Sequence, residues 1–295
     1  MKLATVKIDS SEEAAIVFKD KLFLIRDIND RFNKNFRTNL GELLSNEELD
    51  GLNLWYKAEE KRKLKSLEKY RKFSENIQFG PLYRHPKRIW GIGLNYVEHA
   101  SDLSEKTPSS IPASFMKAET TIIGHNDEIC IPKQSNKTTG EAELGIIIKK
   151  RCKNVEIENW LDVVAGFTTI IDMTAEDILR KNPRYLTLSK NFDTFFSFGP
   201  LLITPDEIQD ILDLSVATVH NGKVHAKNYV SNMTFPPDFL VSFHSKAMTL
   251  LPGDIISTGT PRATHIQQGD IIECQIDGFI PLKNSVRDQK IDSKK

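Results

Sequence analysis

Glu141 and Glu143 stand two residues apart in the run Gly-Glu-Ala-Glu-Leu-Gly-Ile-Ile-Ile, and Asp172 closes a second apolar run, Val163 to Ile171. In a strand, positions i and i+2 share a face, so both glutamates project the same way while Ala142 and Leu144 face the opposite layer. Two carboxylates held that close repel and raise each other's pKa unless a cation neutralises them. An all-carboxylate set with no nearby Cys or His favours Mg²⁺ or Mn²⁺, with Ca²⁺ also admissible, over Zn²⁺ and leaves positions open for water or a bidentate substrate. Solvated glutamates on an edge strand are the plainer reading of an isolated Glu-x-Glu. The segment after Glu143 is too apolar for an edge, and Asp172 ends an apolar strand, a rigid placement that suits a ligand. Taken alone, Asp172 reads equally well as an acid serving a helix dipole.

His99 and Asp102 are three residues apart in Tyr-Val-Glu-His-Ala-Ser-Asp-Leu, a spacing that puts both on one face of a helical turn. A carboxylate beside an imidazole orients its tautomer and raises its basicity, as is needed to draw a proton from water. A surface histidine in a polar loop is the competing reading.

The elements that must carry these residues divide the chain unevenly. Residues 1–80 read as a small N-terminal α+β module: short strands at Ala4–Ile8, Ala14–Phe18 and Leu22–Ile25, then a charged helix from Leu40 to Tyr70. Gly80, Pro81 and Pro86 mark a linker. Residues 85–287 are dominated by short β segments. Asn221-Gly222 and Asp277-Gly278, each between alternating apolar runs, signal hairpins. Two helices interrupt the strands, one opened by Thr174 with Asp177 three residues on as a capping box, the other by Pro236-Pro237 ahead of Asp238–Leu250. Residues 288–295 form a polar, frayed tail. The fold class is α+β, mostly β.

The 295 residues carry 40 basic and 40 acidic side chains, a formal net charge of zero. That balance gives no electrostatic footprint for nucleic acid and no polybasic membrane anchor, so a small-molecule substrate is expected. No apolar run approaches the roughly 18 residues that would span a bilayer. The three cysteines form no paired motif, and the first residues reach charge too soon for a secretory segment; a cytoplasmic protein is expected.

Six stretches in order resemble the fumarylacetoacetate hydrolase family: Gly-Leu-Asn-Tyr-Val-Glu-His (93–99), Phe-Met-Lys-Ala (115–118), Gly-Glu-Ala-Glu-Leu-Gly (140–145), the run 165–177 around Asp172, Leu-Ser-Lys-Asn-Phe-Asp-Thr-Phe (188–195) and Gly-Asp-Ile-Ile-Ser-Thr-Gly-Thr-Pro (253–261). The resemblance spans roughly Gly91 to Leu282. It implies a mixed β-roll catalytic domain, assembly as a homodimer and a metal role for Glu141, Glu143 and Asp172. It assigns water activation to His99 with Asp102, where the family has the longer Glu. Lys117 and Lys190 fall inside matched stretches, and a lysine held by packed neighbours can pair with a substrate carboxylate or stabilise an oxyanion; solvated lysines are the alternative. Thr258, Gly259 and Thr260 match a segment that donates hydrogen bonds to substrate, and a plain strand-end turn is the alternative there.

Two departures stand out. Glu176 and Leu179 replace the family's usual Arg and Gln, and Arg262-Ala263-Thr264-His265 replaces a glycine-rich turn. Either Arg262 restores the lost positive charge from another side or the substrate lacks that carboxylate. The activity implied is metal-dependent hydrolysis of a C–C bond in acylpyruvate-like 2,4-dioxo acids through a metal-stabilised enolate. A 2-oxo acid decarboxylase or isomerase on the same site, with oxaloacetate or an unsaturated 2-oxo diacid as substrate, and a silent metal-binding relative acting as a sensor are the alternatives.

Overall fold

A computed structural model describes residues 1–9, 11–64, 71–72, 77–97, 108 and 110–292. Its spine is a pair of long antiparallel strands, Thr138–Ile148 and Val164–Ala175, every residue of which is buried. The register places Glu141 opposite Asp172 and Glu143 opposite Ile170, so the three acids share one face. Alternation then sends the neighbours to two different cores. Ala142, Leu144, Ile146 and Ile148 join a cluster with Val216, Ile272, Cys274, Leu282 and Val286. Ile147 and Ile170 join another with Phe196, Phe198 and, from the N-terminal helices, Leu43, Leu44 and Leu52. Cover on both sides explains why these strands read as nearly continuous apolar runs instead of alternating with polar residues.

The first core is closed by a second sheet in which Ser215–His220, Ile271–Ile276 and Leu282–Asp288 lie between the edges Lys223–Tyr229 and Glu128–Ile131. Along the other side of the spine, Ile255–Ser257 runs antiparallel to Thr138–Ile148 with Ser257 opposite Gly145. Ile89–Gly93 adds parallel to it, and Ala113–Lys117 pairs antiparallel with that strand. Stretches far apart in the chain thus become neighbours of the acids. The strands Lys2–Ile8, Ser11–Phe18 and Lys21–Leu24 extend the same sheet through Lys2 opposite Ile203, and Ile203 sits opposite Phe167 on the spine. The molecule is a mixed α/β structure made mostly of strands, as the sequence implies.

The Asn221-Gly222 hairpin forms as expected, with φ of 51° and 75° that match a type I′ turn. The second hairpin has a longer loop than Asp277-Gly278 suggests, since the returning strand starts at Leu282 opposite Cys274. Pro237 opens a helix that ends at Ala247. The helix expected over Leu40–Tyr70 is two, Leu40–Ser45 and Leu49–Lys63, broken where Glu47 takes a left-handed φ of 55°; residues 65–70 lie outside the described residues. A helix at Ile25–Phe32 has no counterpart in the sequence reading, and Gln289–Asp292 forms a short helix within the expected tail. The capping box is corrected. Thr174 belongs to the strand, the N-cap is Ala175 with no side-chain cap bond, and Asp177 instead accepts from Ser135 Oγ (2.8 Å) and the Asn136 amide (3.0 Å). Thr174 shares the strand face of Asp172, so its hydroxyl is directed at Glu141 before a helix can claim it.

Candidate active site

One carboxylate oxygen from each of Glu141, Glu143 and Asp172 can be chosen so that all three lie within 4.8 Å of one another. Oxygens ligating a common hard ion at about 2.0–2.6 Å are separated by roughly 5 Å at most, so this spacing fits one Mg²⁺, Mn²⁺ or Ca²⁺. Exposures of 7 %, 2 % and 0 % rule out the solvated edge strand.

Each acid has a distinct set of donors. Glu141 Oε1 accepts from Thr174 Oγ1 at 2.7 Å and Thr139 Oγ1 at 3.3 Å. Glu143 Oε2 accepts from Ser257 Oγ at 2.5 Å and from the Gly259 amide at 2.9 Å. Asp172 pairs with Lys117 Nζ through Oδ1 and with Lys190 Nζ through Oδ2, both at 2.6 Å; Lys190 also reaches Glu141 Oε2 at 2.9 Å. Gly259 has φ of 95°, and a Cβ there would come within 2.8 Å of the Asn95 Cβ and 3.0 Å of the Ile92 carbonyl. Only glycine lets this amide approach Glu143 without strain.

The environments push these groups apart. Burial, and then the charges of Asp172 and Glu141, raise the Glu143 carboxyl to about 8. Burial would raise Asp172 too, but the Lys117 and Lys190 ammoniums outweigh it and hold the group below its usual value. Burial opposes the Lys190 charge, yet Asp172, Glu141 and Glu143 together raise its pKa. Lys117 is lowered, because burial outweighs its attraction to Asp172 and the Lys190 charge adds to the cost. Three carboxylates against two ammoniums leave one net negative charge when all are ionised. A divalent cation would reverse that to one positive charge, the complement of a monoanionic 2-oxo acid head.

Glu141 and Glu143 open onto a cavity of about 480 Å³, whose lining also includes Lys190, Phe115 and Thr260; Asp172 is not part of the lining. Phe115 stands 4.8 Å from the Lys190 ammonium, ring centroid to Nζ, a cation–π contact. Opposite it on the neighbouring strand is Gly91, where a Cβ would fall 2.2 Å from the ring. Lys117 does not line the cavity. Its side chain is fully buried, its ammonium bonded to Asp172 and to the Lys190 and Met173 carbonyls. Thr258 is also buried, its hydroxyl donating to the Leu144 carbonyl at 2.9 Å while its own carbonyl accepts from Asn95 Nδ2 at 2.8 Å. Arg262 is exposed and absent from the lining; its carbonyl accepts from Thr218 and Thr260. His99 and Asp102 lie outside the described residues.

The role of Ser257 and the ion pairing of Glu176 escaped the sequence reading. Ser257 was within a matched stretch, but its bond to Glu143 depends on a strand pairing that no local pattern encodes. Glu176 is buried beside the cavity and ion-paired to Lys137 Nζ (3.0 Å) and Arg180 Nε (2.5 Å). The i, i+4 spacing of Glu176 and Arg180 was the available signal.

The fold and the acid cluster, a candidate metal site, define a class of enzymes. The chain belongs to the fumarylacetoacetate hydrolase family: residues 88–287 match the model described as fumarylacetoacetate (FAA) hydrolase C-terminal. It is 40 % identical to an uncharacterised protein of Archaeoglobus fulgidus over 68 % of this chain and 78 % of that protein. It is 35 % identical to the mitochondrial oxaloacetate tautomerase of Xenopus laevis over 72 % of this chain and 69 % of the relative. The maleylpyruvate hydrolase of Sphingobium, solved with manganese(II) and pyruvate, superposes with a TM-score of 0.80 at 25 % identity, covering 98 % of this chain and 99 % of the other. Among the described residues no helix is long and apolar enough to cross a membrane.

Proposed function

We propose that the protein is a Mg²⁺- or Mn²⁺-dependent hydrolase that cleaves the C–C bond beside the 2-oxo acid of acylpyruvate-like substrates. The observation that carries this reading is the convergence of three buried carboxylates and one buried ammonium, Lys190, at a cavity whose wall Glu141, Glu143 and Lys190 form, with Asp172 directly behind it. Glu141, Glu143 and Asp172 would hold the ion. Once bound, the ion would polarise the 2-oxo carbonyl and stabilise negative charge developing on its oxygen.

The chain's own residues do the rest. Thr174, Ser257 and the Gly259 amide fix the carboxylate orientations, so little reorganisation is left for the reaction. Lys190 adds a positive charge next to the developing oxyanion. Lys117 offsets the acid charge from behind without touching substrate. Thr260 lines the cavity with its hydroxyl donating to the Arg262 carbonyl, and Phe115 covers the Lys190 ammonium. Proton transfer from the attacking water is assigned to His99 and Asp102 on the family resemblance.

Oxaloacetate tautomerisation is the second reading, favoured by the 35 % identity to the Xenopus laevis enzyme. It needs the same acids and a proton shuttle but no attacking water. A panel of acylpyruvates and oxaloacetate with Mg²⁺ or Mn²⁺, followed through pyruvate, CO₂ and enol absorbance, separates the two. Pyruvate release from acylpyruvates supports hydrolysis; enol conversion alone transfers the assignment to tautomerisation. No turnover by the metal-loaded protein on any member overturns both. A homodimer in the cytoplasm accompanies the proposal, checked by sedimentation and cell fractionation.

A further inference from the structure

Away from the acids, the cavity wall is built by the short helices Glu176–Lys181 and Leu186–Lys190 and the turn between them. Leu179, Pro183 and Leu186 supply an apolar stretch, and Glu176 and Arg180 bring charge to the same wall. Glu176 is 7 % exposed and accepts from both Arg180 Nε and Lys137 Nζ. One carboxylate against two cations leaves this wall with a net positive charge. The Arg180 side chain is 53 % exposed. Its contact to Glu176 is made through Nε, and among the described residues no partner is found for the two terminal nitrogens. A guanidinium tethered through Nε presents those nitrogens as a planar fork, a geometry that matches a carboxylate.

We infer that Arg180, oriented by Glu176, selects substrates that carry a second carboxylate at the end remote from the 2-oxo acid group. This rests on the proposed function, which places the 2-oxo acid head at Glu141, Glu143 and Asp172. Thr174 fixes the path between the two ends: it touches Glu141 and lies two residues before Glu176, and Arg180 follows one helical turn later, about 6 Å along the axis. A substrate spanning them has an anionic head, a middle that lies against Leu179, Pro183 and Leu186, and an anionic tail. The ion pair with Glu176 costs Arg180 part of its charge but limits its rotamers, which lowers the entropy lost when a carboxylate docks.

The test compares two unreactive six-carbon probes on the Mn²⁺-loaded full-length protein by isothermal titration calorimetry. 2-Oxoadipate has the remote carboxylate, and 2-oxohexanoate ends in a methyl group. Wild type is expected to bind 2-oxoadipate at least about tenfold more tightly, and Arg180→Ala to reduce that ratio by about tenfold, the size of one partly solvated charge-assisted pair. Arg180→Lys should keep part of the ratio, since it retains the charge and loses the fork. Circular dichroism melting of each variant checks the fold, and the ratio, being internal to each protein, is insensitive to partial unfolding. Equal ratios in wild type and Arg180→Ala, with both probes bound, overturn this inference and leave the proposed function standing. If wild type binds neither probe, the 2-oxo acid reading itself falls and this inference with it.

Discussion

At one end of the cavity Glu141, Glu143 and Asp172 ride on strands paired along both sides and are almost wholly excluded from water; at the other, Arg180 projects from a six-residue helix with about half its side chain in solvent. The ends differ in what they must do. An ion site needs oxygens fixed to fractions of an ångström, which buried strands with defined register provide. A site that sorts substrates needs only a charge at about the right distance, which a short helix can carry and a single substitution can alter. Changes at the acid end should therefore register as lost metal binding and altered stability, and changes at the helical end as altered substrate preference with little of either.

The largest effect is expected from Asp172→Asn. Both buried lysines lose their common counter-ion, and uncompensated buried charge costs about 3–5 kcal/mol. Urea unfolding should show that loss, and a Mn²⁺ titration should show no high-affinity site. Near-normal stability with retained Mn²⁺ binding would mean the five charges do not act as one cluster.

Glu143→Gln should act in the opposite direction on stability while also abolishing tight metal binding. The Glu143 carboxyl is raised to about 8 from its ordinary 4.5, so the folded metal-free protein keeps a proton that the unfolded chain gives up. Stability of the metal-free protein then falls as pH rises from 4.5 to about 8 and levels off above. The glutamine variant lacks this decline. In wild type, Mn²⁺ must displace that proton, so its affinity should climb with pH up to about 8 and then flatten. A pH-independent Mn²⁺ affinity between 6 and 8 would place the proton elsewhere.

Ser257→Ala sharpens the comparison by disturbing the acid end without removing an acid. Glu143 loses its 2.5 Å hydroxyl donor and keeps the Gly259 amide. A drop of about 10–100-fold in Mn²⁺ affinity is expected, as for other residues that orient metal ligands. An unchanged affinity would show that the Gly259 amide alone suffices. Gly91→Ala acts one layer further out, since its Cβ would push the Phe115 ring from the Lys190 ammonium. Overpacking of this kind costs about 1–3 kcal/mol, read as a lower midpoint in urea.

This contrast also sets what the sequence reveals. The acid end was legible because strands repeat every two residues: Glu-x-Glu opening one apolar run and Asp172 ending another could share a face only if the runs paired. The same logic exposes the error at Thr174. Three residues of helix spacing to Asp177 suggested a cap, but the strand period had already assigned the hydroxyl to Glu141. Ser257 and Lys117 were not legible in their actual roles, because each reaches the acids through pairings with strands distant in sequence. Arg180 was overlooked for another reason. An i, i+4 Glu–Arg pair on a helix is ordinary surface chemistry unless the wall it faces is known.

The smallest expected effect comes from Glu176→Gln, and it decides whether the helical end is independent of the acid end. The substitution keeps the shape and removes the charge that holds Arg180 and Lys137. Both partners are about half exposed, so the loss of stability should stay within about 1 kcal/mol. Burial works against the Glu176 charge, but Lys137 and Arg180 hold its pKa below the ordinary value, so the ion pairs persist down to acidic pH. If Glu176 acts only by orienting the guanidinium, Gln should weaken the preference for 2-oxoadipate over 2-oxohexanoate less than Arg180→Ala does, because the cation remains. If it acts by damping the Arg180 charge, the preference should instead increase. Mn²⁺ affinity is the control that links the two ends: a shift as large as that of Ser257→Ala would show that the helix is coupled to the ion site through Thr174, and the division drawn between the two regions would fail.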